Sequence, residues 1–117
     1  NMTIPSGSGT EVLKRHYVHE LSNTETALIT GVANHIYTVL SIVWTEQGAS
    51  SEEIHMYIGY DAGATDIFLM SSQPLGSEQT FVWSDKFVLT GTDILYTKAK
   101  NSANIDCWIT YIDQDWS

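Results

Sequence analysis

Apolar and polar residues alternate along most of this chain, in short runs rich in β-branched and aromatic side chains. Glu53–Tyr60 is the clearest run, because Ile54, Met56 and Ile58 alternate there with more polar neighbours. A period of two is typical of a half-buried strand, and no window sustains the i, i+3, i+4, i+7 stripe of an amphipathic helix. The pattern predicts strands at Glu11–Leu21, Glu25–Thr30, Ile36–Trp44, Glu53–Tyr60, Asp66–Ser71, Thr80–Trp83, Lys86–Leu89, Asp93–Lys98 and Ile105–Ile112.

Clusters of turn-forming residues separate these runs at short intervals. Ile36–Trp44 has β-branched and aromatic residues on both faces, which predicts a central strand buried on two sides. Eight or nine short strands with brief turns favour an all-β fold, a small antiparallel β-sandwich that is jelly-roll-like. The absence of an internal sequence repeat disfavours a propeller or a solenoid.

The first ten residues, NMTIPSGSGT, are rich in Ser, Gly and Pro and have too little apolar surface to fold alone. We predict a flexible or docking arm at residues 1–10 and a single β-sandwich domain at residues 11–117. The arm either frays or orders against a partner, with Met2 and Ile4 as apolar anchors. Asn1 precedes Met2 without a basic region or an apolar block, so no signal peptide is visible.

Fourteen acidic and five basic residues give the 117-residue chain a formal net charge of −9. Nucleic-acid binding needs clustered Lys and Arg, and Lys14–Arg15 is the only adjacent basic pair. Anionic membranes are disfavoured for the same reason. No apolar stretch approaches the roughly 20 residues of a membrane-spanning helix. We therefore predict neither nucleic acid nor membrane as a partner.

Candidate chemistry is sparse. Cys107 is the only cysteine and lies in an apolar run, which predicts a small buried hydrophobe. His16 and His19 are three residues apart in a strand-like segment, so they point to opposite faces and make a poor metal pair. Asp113–Asp115 resembles a fragment of a calcium loop without its glycine and distal glutamate.

Catalytic motifs are also missing, since no Gly-x-Ser-x-Gly elbow and no phosphate-binding glycine loop occurs in the sequence. We predict no catalytic residues, no metal and no cofactor, and a protein that is not an enzyme. A carboxylate pair of the glycoside-hydrolase kind stays open, because folding and not sequence brings such a pair together.

Four tryptophans are the most informative aromatic residues. Trp44 and Trp108 lie in apolar runs and are expected in the core. Trp83 suits the core or its rim, and Trp116 is the penultimate residue, exposed unless it packs on a neighbour. Trp83 and Trp116 are therefore the candidate interface aromatics, although a sugar can stack on such a ring as well.

Three stretches carry a family resemblance: TIPSGSGTEVLKR (Thr3–Arg15), LITGVANHIYTVLSIVW (Leu28–Trp44), and TFVWSDKFVL (Thr80–Leu89) through to YIDQDWS (Tyr111–Ser117). Together they resemble the capsid decoration, or cement, proteins of marine tailed phages of the cyanophage type. The resemblance implies a β-sandwich, made in the host cytoplasm, that binds the major capsid protein on the capsid exterior of the virion. It also implies a homo-oligomer, which we expect to be a trimer.

The first functional hypothesis is thus a structural virion protein that stabilises or decorates a phage shell. Its arm is expected to dock on the shell through Met2, Thr3, Ile4 and Pro5. The alternative is a glycan- or receptor-binding β-sandwich module of a phage fibre or tail. That alternative predicts two or three aromatic side chains exposed together beside Asp, Asn or Gln.

Overall fold

Nine strands and one short turn, labelled α1 (Tyr60–Gly63), with a left-handed backbone at Asp61 and Ala62, form the part of the chain that the computed structural model describes, residues 9–101 and 104–117. All nine predicted segments coincide with a strand. The elements are β1 (Thr10–Val18), β2 (Thr26–Thr30), β3 (His35–Glu46), β4 (Glu52–Gly59), α1 (Tyr60–Gly63), β5 (Thr65–Leu75), β6 (Thr80–Trp83), β7 (Phe87–Thr90), β8 (Ile94–Ala99) and β9 (Ile105–Asp115).

The strands form two antiparallel sheets. The five-stranded sheet has the order β1-β9-β3-β6, and β7 pairs with β3 along the same edge as β6. The four-stranded sheet has the order β2-β8-β4-β5. If β6 and β7 are counted as one strand interrupted at Ser84–Lys86, the eight strands have the jelly-roll order, in which successive strands lie in different sheets except β4 and β5. The predicted jelly-roll-like β-sandwich is therefore confirmed.

The inner faces of the two sheets pack against each other around Trp44, which is fully buried as predicted. Its indole Nε1 donates to Thr97 Oγ1 at 3.2 Å across the sandwich, and that hydroxyl donates to the His55 carbonyl at 2.8 Å. A buried indole N–H needs an acceptor, so this chain of two hydrogen bonds fixes the rotamer of the largest core side chain.

The prediction that Ile36–Trp44 is buried on two sides is wrong for one side. The corresponding strand, β3, is central and buries Ile42 and Trp44 inward, but its outward residues, such as Val43, are only half-buried. The physical reason is that no second layer of described residues covers this side of the five-stranded sheet. Apolar residues on both faces of a strand thus do not require two protein layers within one chain.

The outward side of the four-stranded sheet is partly filled by its own aromatic side chains. Tyr57 stacks on Phe68, with ring centroids 4.6 Å apart, and packs against Tyr96 at 5.4 Å. The Tyr57 hydroxyl donates to Glu25 at 2.5 Å, and burial together with this bond raises the Tyr57 pKa. Tyr57 is consequently 2% exposed although it faces outward.

Within the described ranges, no helix is long and apolar enough to cross a membrane.

Replacing Thr97 with Val should lower the free energy of unfolding by about 1–2 kcal/mol, because the Trp44 indole N–H loses its acceptor at nearly constant side-chain volume. Thr110→Val is the matched control, since Thr110 lies on the outward side of β9. Urea unfolding followed by tryptophan fluorescence measures both. An equal loss in the two variants would contradict the role given to the Trp44–Thr97 bond.

Candidate interaction surface

The outward side of the five-stranded sheet, called here the outer face, is set by the alternation of β9. Ile105, Cys107 and Ile109 are buried in the sandwich, so the residues between them point away from it. Trp108 is 46% exposed on that side. In an antiparallel sheet directly paired residues share a face, so the strand register identifies the neighbours of Trp108.

Two rows of mainly apolar side chains cross the outer face. The first apolar row runs over β1, β9, β3 and β6 and consists of Tyr17, Trp108, Val43 and Val82. The second apolar row runs over β1, β9, β3 and β7 and consists of Leu13, Ile112, Thr38 and Val88. A polar row separates them and consists of Arg15, Thr110 and Ser41.

The ends of both rows are exposed to an unusual degree for large apolar side chains. Their exposed fractions are 69% for Leu13, 62% for Tyr17, 52% for Val82 and 53% for Val88. Contiguous apolar surface on a soluble protein marks an interaction site more often than single exposed residues do. The outer face is therefore the candidate interaction surface of this chain.

Aromatic rings dominate the β1 end of the first apolar row. The rings of Tyr17 and Trp108 are nearly parallel, at 17°, with centroids 6.2 Å apart. The Arg15 guanidinium lies over the Trp108 ring at 5.6 Å, a cation–π contact. A shallow depression of about 360 Å³ lies beside the pair, and Val43 and Asp106 contribute to its wall.

Asp106 and its neighbours form the polar border of this depression. One carboxylate oxygen of Asp106 lies 2.6 Å from Nδ1 of His19, and the other accepts a hydrogen bond from Gln47. Both oxygens therefore already have partners on the protein. The border offers a small number of polar groups next to two exposed aromatic rings.

The strand β1 is attached to the sandwich by an ion-pair cluster on the side opposite the outer face. Lys14 Nζ donates to Asp113 at 2.8 Å, and His35 Nδ1 lies 2.7 Å from the other Asp113 oxygen. His35 Nε2 is also 3.4 Å from Asp115. The Asp113 side chain is only 7% exposed, whereas that of Lys14 is 45% exposed.

The cluster shifts the titration of its members. Burial on its own would raise the Asp113 pKa, but the hydrogen bonds from Lys14 and His35 outweigh burial and hold that pKa below its usual value. The hydrogen bond to Asp113 likewise raises the Lys14 pKa. Both shifts favour the charged pair, which fixes β1 to its neighbour β9.

The predicted docking residues Met2, Thr3, Ile4 and Pro5 lie outside the described residues. The candidate interface aromatics Trp83 and Trp116 are both half-buried. The structure brings neither of them into the apolar rows of the outer face.

Trp83 packs edge-on against Phe87, with centroids 6.1 Å apart, and donates its indole N–H to the Asp85 carbonyl at 2.8 Å. The Trp116 ring covers the backbone of Gly9 so closely that a Cβ there would lie 2.8 Å from it. Trp116 therefore determines where the predicted arm leaves the domain.

The sequence interpretation missed the exposed pair Tyr17 and Trp108. The prediction that Trp108 lies in the core is wrong, because β9 has only one covered face and Trp108 is on the other. A signal was available in the strict alternation of β9, where Trp108 shares its parity with Asp106 and not with Ile109. No comparable signal exists in β1, whose residues are exposed on both sides.

Cys107 is buried, as predicted, and burial raises the pKa of its thiol to about 12. A thiol with such a pKa is protonated at neutral pH and unreactive. In residues 9–101 and 104–117, no group of three or more His, Cys, Asp or Glu side chains is placed to hold a metal ion.

Comparisons with known proteins found no matching family model and no matching curated protein. Solved structures do match. A protein of Bacillus endospore appendages, described as disulfide-linked pili, is 13% identical with a TM-score of 0.58, over 100% of this chain and 99% of that one. A protein from the acid-stable capsid of Helicobacter pylori bacteriophage KHP30 is 11% identical with a TM-score of 0.53, over 92% and 89%. At these identities the likeness establishes the fold alone.

Replacing Asp113 with Asn should lower the free energy of unfolding at pH 7 by about 1–2 kcal/mol, a figure reduced for the exposure of Lys14. The Asp113 pKa is lower in the folded state than its unfolded-state value of about 3.9, so the ionised carboxylate stabilises the fold at any pH above that value. This stabilisation is lost as the pH falls through the folded-state pKa. The difference between wild type and variant should therefore shrink below about pH 4. Urea unfolding at pH 7 and pH 3 measures this, with the exposed Asp85→Asn as control. A difference that is the same at both pH values would count against the ion-pair cluster.

Proposed function

We propose that this chain is a structural protein of a phage virion, which binds the outside of the capsid and stabilises or decorates the shell. The observation that carries the proposal is the outer face, where two apolar rows are left uncovered on an otherwise well-packed jelly roll. The sequence resemblance to capsid decoration proteins and the shared fold with a phage capsid protein support it. The same jelly-roll fold serves other functions, so the fold alone does not select this role and the exposed apolar surface is the stronger support.

The size of the outer face determines how it can act. Three gaps between four strands make each row roughly 14 Å long, and four residues along β1 place the rows roughly 13 Å apart. This patch is small beside the ~800 Å² that one partner contributes to a standard stable interface. A single copy would therefore bind weakly through it, and firm attachment needs many copies on one shell or a second contact from the arm.

The arm is the proposed second contact, with Met2, Thr3, Ile4 and Pro5 docking on the major capsid protein. The Trp116 ring packed over Gly9 supports this, because it fixes the root of the arm next to the start of β1. Trp116 and Trp83 remain predicted interface aromatics, since each keeps part of its surface exposed. The trimer that the resemblance implies also remains a prediction, and it excludes a closed pair of two chains, so the mass in solution distinguishes the two states. The proposed role needs no enzymatic activity.

A charge placed in either apolar row should reduce binding to purified shells, because it would have to be desolvated against the partner. Val82→Asp and Val88→Asp are the test variants, at 52% and 53% exposure. Val32→Asp is the matched control, since Val32 is equally exposed at 52% and lies between β2 and β3, away from the outer face. Co-sedimentation with shells of the encoding phage should fall at least about tenfold for the test variants only.

A further variant lacking residues 1–8 separates the arm from the face in the same assay. If this variant loses shell binding while Val82 and Val88 are intact, the result supports docking through the arm. If its affinity for shells is unchanged, the arm does not contribute to binding. Quantitative mass spectrometry of virions gives the copy number. Absence of the chain from virions, or equal binding of all Val→Asp variants, would refute the shell proposal.

A glycan-binding module of a fibre or tail is the second candidate, and a specific observation favours it. Tyr17 and Trp108 are exposed together, nearly parallel, beside Asp106 and Gln47. This is the arrangement that the glycan hypothesis required, although a different pair of aromatics provides it. Aromatic rings with a few polar neighbours suit a sugar ring as well as an apolar protein surface.

Tryptophan fluorescence distinguishes the two candidates. Under the shell proposal, host surface polysaccharide should cause no saturable change in emission. A saturable quench or shift that Trp108→Phe removes and Trp83→Phe retains would favour the glycan module instead. Trp83 is a suitable control because its indole is already bonded to the Asp85 carbonyl, away from the outer face.

A further inference from the structure

Among the sheet edges that the described residues form, β1 alone is long and has neither a proline nor a bulge, although Glu11, Lys14 and Arg15 give it charge. It has nine residues in unbroken register with β9. A long, regular edge strand exposes a row of backbone N–H and C=O groups that can pair with a further strand.

The other edges are protected. The strand β5 contains Pro74 and two register irregularities, and its Ser72 has a positive φ of 54°. The strand β2 has five residues and a register shift between Ala27 and Ile29. The third edge consists of β6 and β7, two strands of four residues each. Short, bulged or proline-containing edges resist strand addition, so β1 is the edge at which a strand would add.

The strand β1 is also held in a fixed conformation before any partner arrives. Lys14 is bonded to Asp113 on one side of the sheet, and Tyr17 and Arg15 both contact Trp108 on the other. A strand ordered in advance loses little conformational entropy when another strand pairs with it. The edge is thus ordered in advance as well as long and unbroken.

The charges on β1 favour a second copy of this chain as the occupant, because this edge carries both signs. Two copies of a chain with a net charge of −9 repel each other, so contact is least opposed where positive charge is concentrated. Lys14 and Arg15 are two of only five basic residues, and both lie on β1. The same strand carries Glu11, which provides an acidic partner within one self-complementary edge.

We propose that two copies associate by antiparallel pairing of β1 with β1 about a two-fold axis at Leu13, which joins their five-stranded sheets into one. In this register Glu11 of each copy lies opposite Arg15 of the other copy, and the two Leu13 residues lie opposite each other. A two-fold axis perpendicular to the sheet keeps both outer faces on the same side, because directly opposed residues share a face.

Neighbouring registers are less favourable. An axis at Lys14 or at Arg15 places that residue opposite its own copy, and like charges directly opposite each other are destabilising. An axis at His16 pairs His16 with itself and leaves Glu11 without a cation. An axis at Val12 places Glu11 opposite Leu13. Only the axis at Leu13 opposes unlike charges and keeps seven residues of each β1, Thr10–His16, in the pairing.

The pairing also accounts for the most exposed apolar residue of the outer face. Leu13 is 69% exposed in the single chain, and in the pair it lies against its symmetry mate. The second apolar rows of the two copies then meet at Leu13 and form one continuous row. The pairing does not depend on shell binding, so either can fail without the other, but it would double the area that any partner meets.

Charge exchange tests the pairing in the full-length chain. Glu11→Arg places Arg opposite Arg15 of the second copy, and Arg15→Glu places Glu opposite Glu11, so each single variant should weaken association about tenfold or more through two equivalent contacts. The double variant E11R/R15E restores unlike pairs and should recover association. Sedimentation velocity over a concentration series measures the mass against the 13.0 kDa chain.

The expected result is a species of twice the chain mass, reduced to the single-chain mass in each single variant and restored in the double variant. A wild type that remains a monomer up to about 200 μM, a species of three times the chain mass, or single variants that associate like wild type would each overturn the proposal. Thermal melts verify that the variants fold, and Glu78→Arg is the control for a change of charge away from β1.

Cross-linking tests the register independently of charge. Directly opposed residues have Cβ atoms about 4.5–5.5 Å apart, close to disulfide range, so Leu13→Cys should give a covalent dimer on mild oxidation. His16→Cys is the matched control, because it leaves Glu11 and Arg15 intact and faces itself only if the axis lies at His16. The buried Cys107 does not compete. Efficient cross-linking through position 16 but not 13 would refute the proposed register.

Discussion

The register of β3 against β9 is the constraint on which the rest of the structure depends. These strands pair over eleven residue pairs at the centre of the five-stranded sheet. The pairing has one irregularity between Val39 and Ser41, and after it side chains alternate between the two faces. The register that buries Trp44 and Ile109 therefore also directs Val43 and Trp108 to the outside. The register of β3 against β9 thus determines both the core and the outer face, and a shift of that register by one residue would exchange the two sets of side chains.

The strands and the fold class could be predicted from local sequence because most strands show either a period of two or a run of β-branched and aromatic residues. The strand β4 illustrates this, since Ile54 and Met56 are buried as their period-two pattern indicates. The interruption between β6 and β7 is visible as the polar segment Ser84–Lys86. Turn chemistry and strand length then restrict the fold to a two-sheet sandwich, in which the jelly-roll order is a natural solution.

The candidate interaction surface could not be predicted in the same way, because it depends on which strands become neighbours. Lys14 and Asp113 are 99 residues apart, and nothing near either residue indicates the other. Trp108 illustrates the same point, since the pattern of β9 shows that Trp108 shares a face with Asp106 but does not show that this face is uncovered. Whether an apolar residue is buried thus depends on the number of layers, and a strand pattern specifies only which residues share a face.

The symmetry of the inferred pair has a consequence for how the two surfaces divide their roles. A two-fold contact between identical edges is closed, because each copy uses its β1 edge once and no further copy can add there. The remaining edges are short, bulged or contain proline, so sheet pairing does not propagate into a fibre. Any larger assembly must then use a surface other than a sheet edge, and the outer face is the apolar surface left for it. In the proposed assembly, a closed edge contact and an open face would let a small acidic chain attach to a large surface in many copies without polymerising with itself.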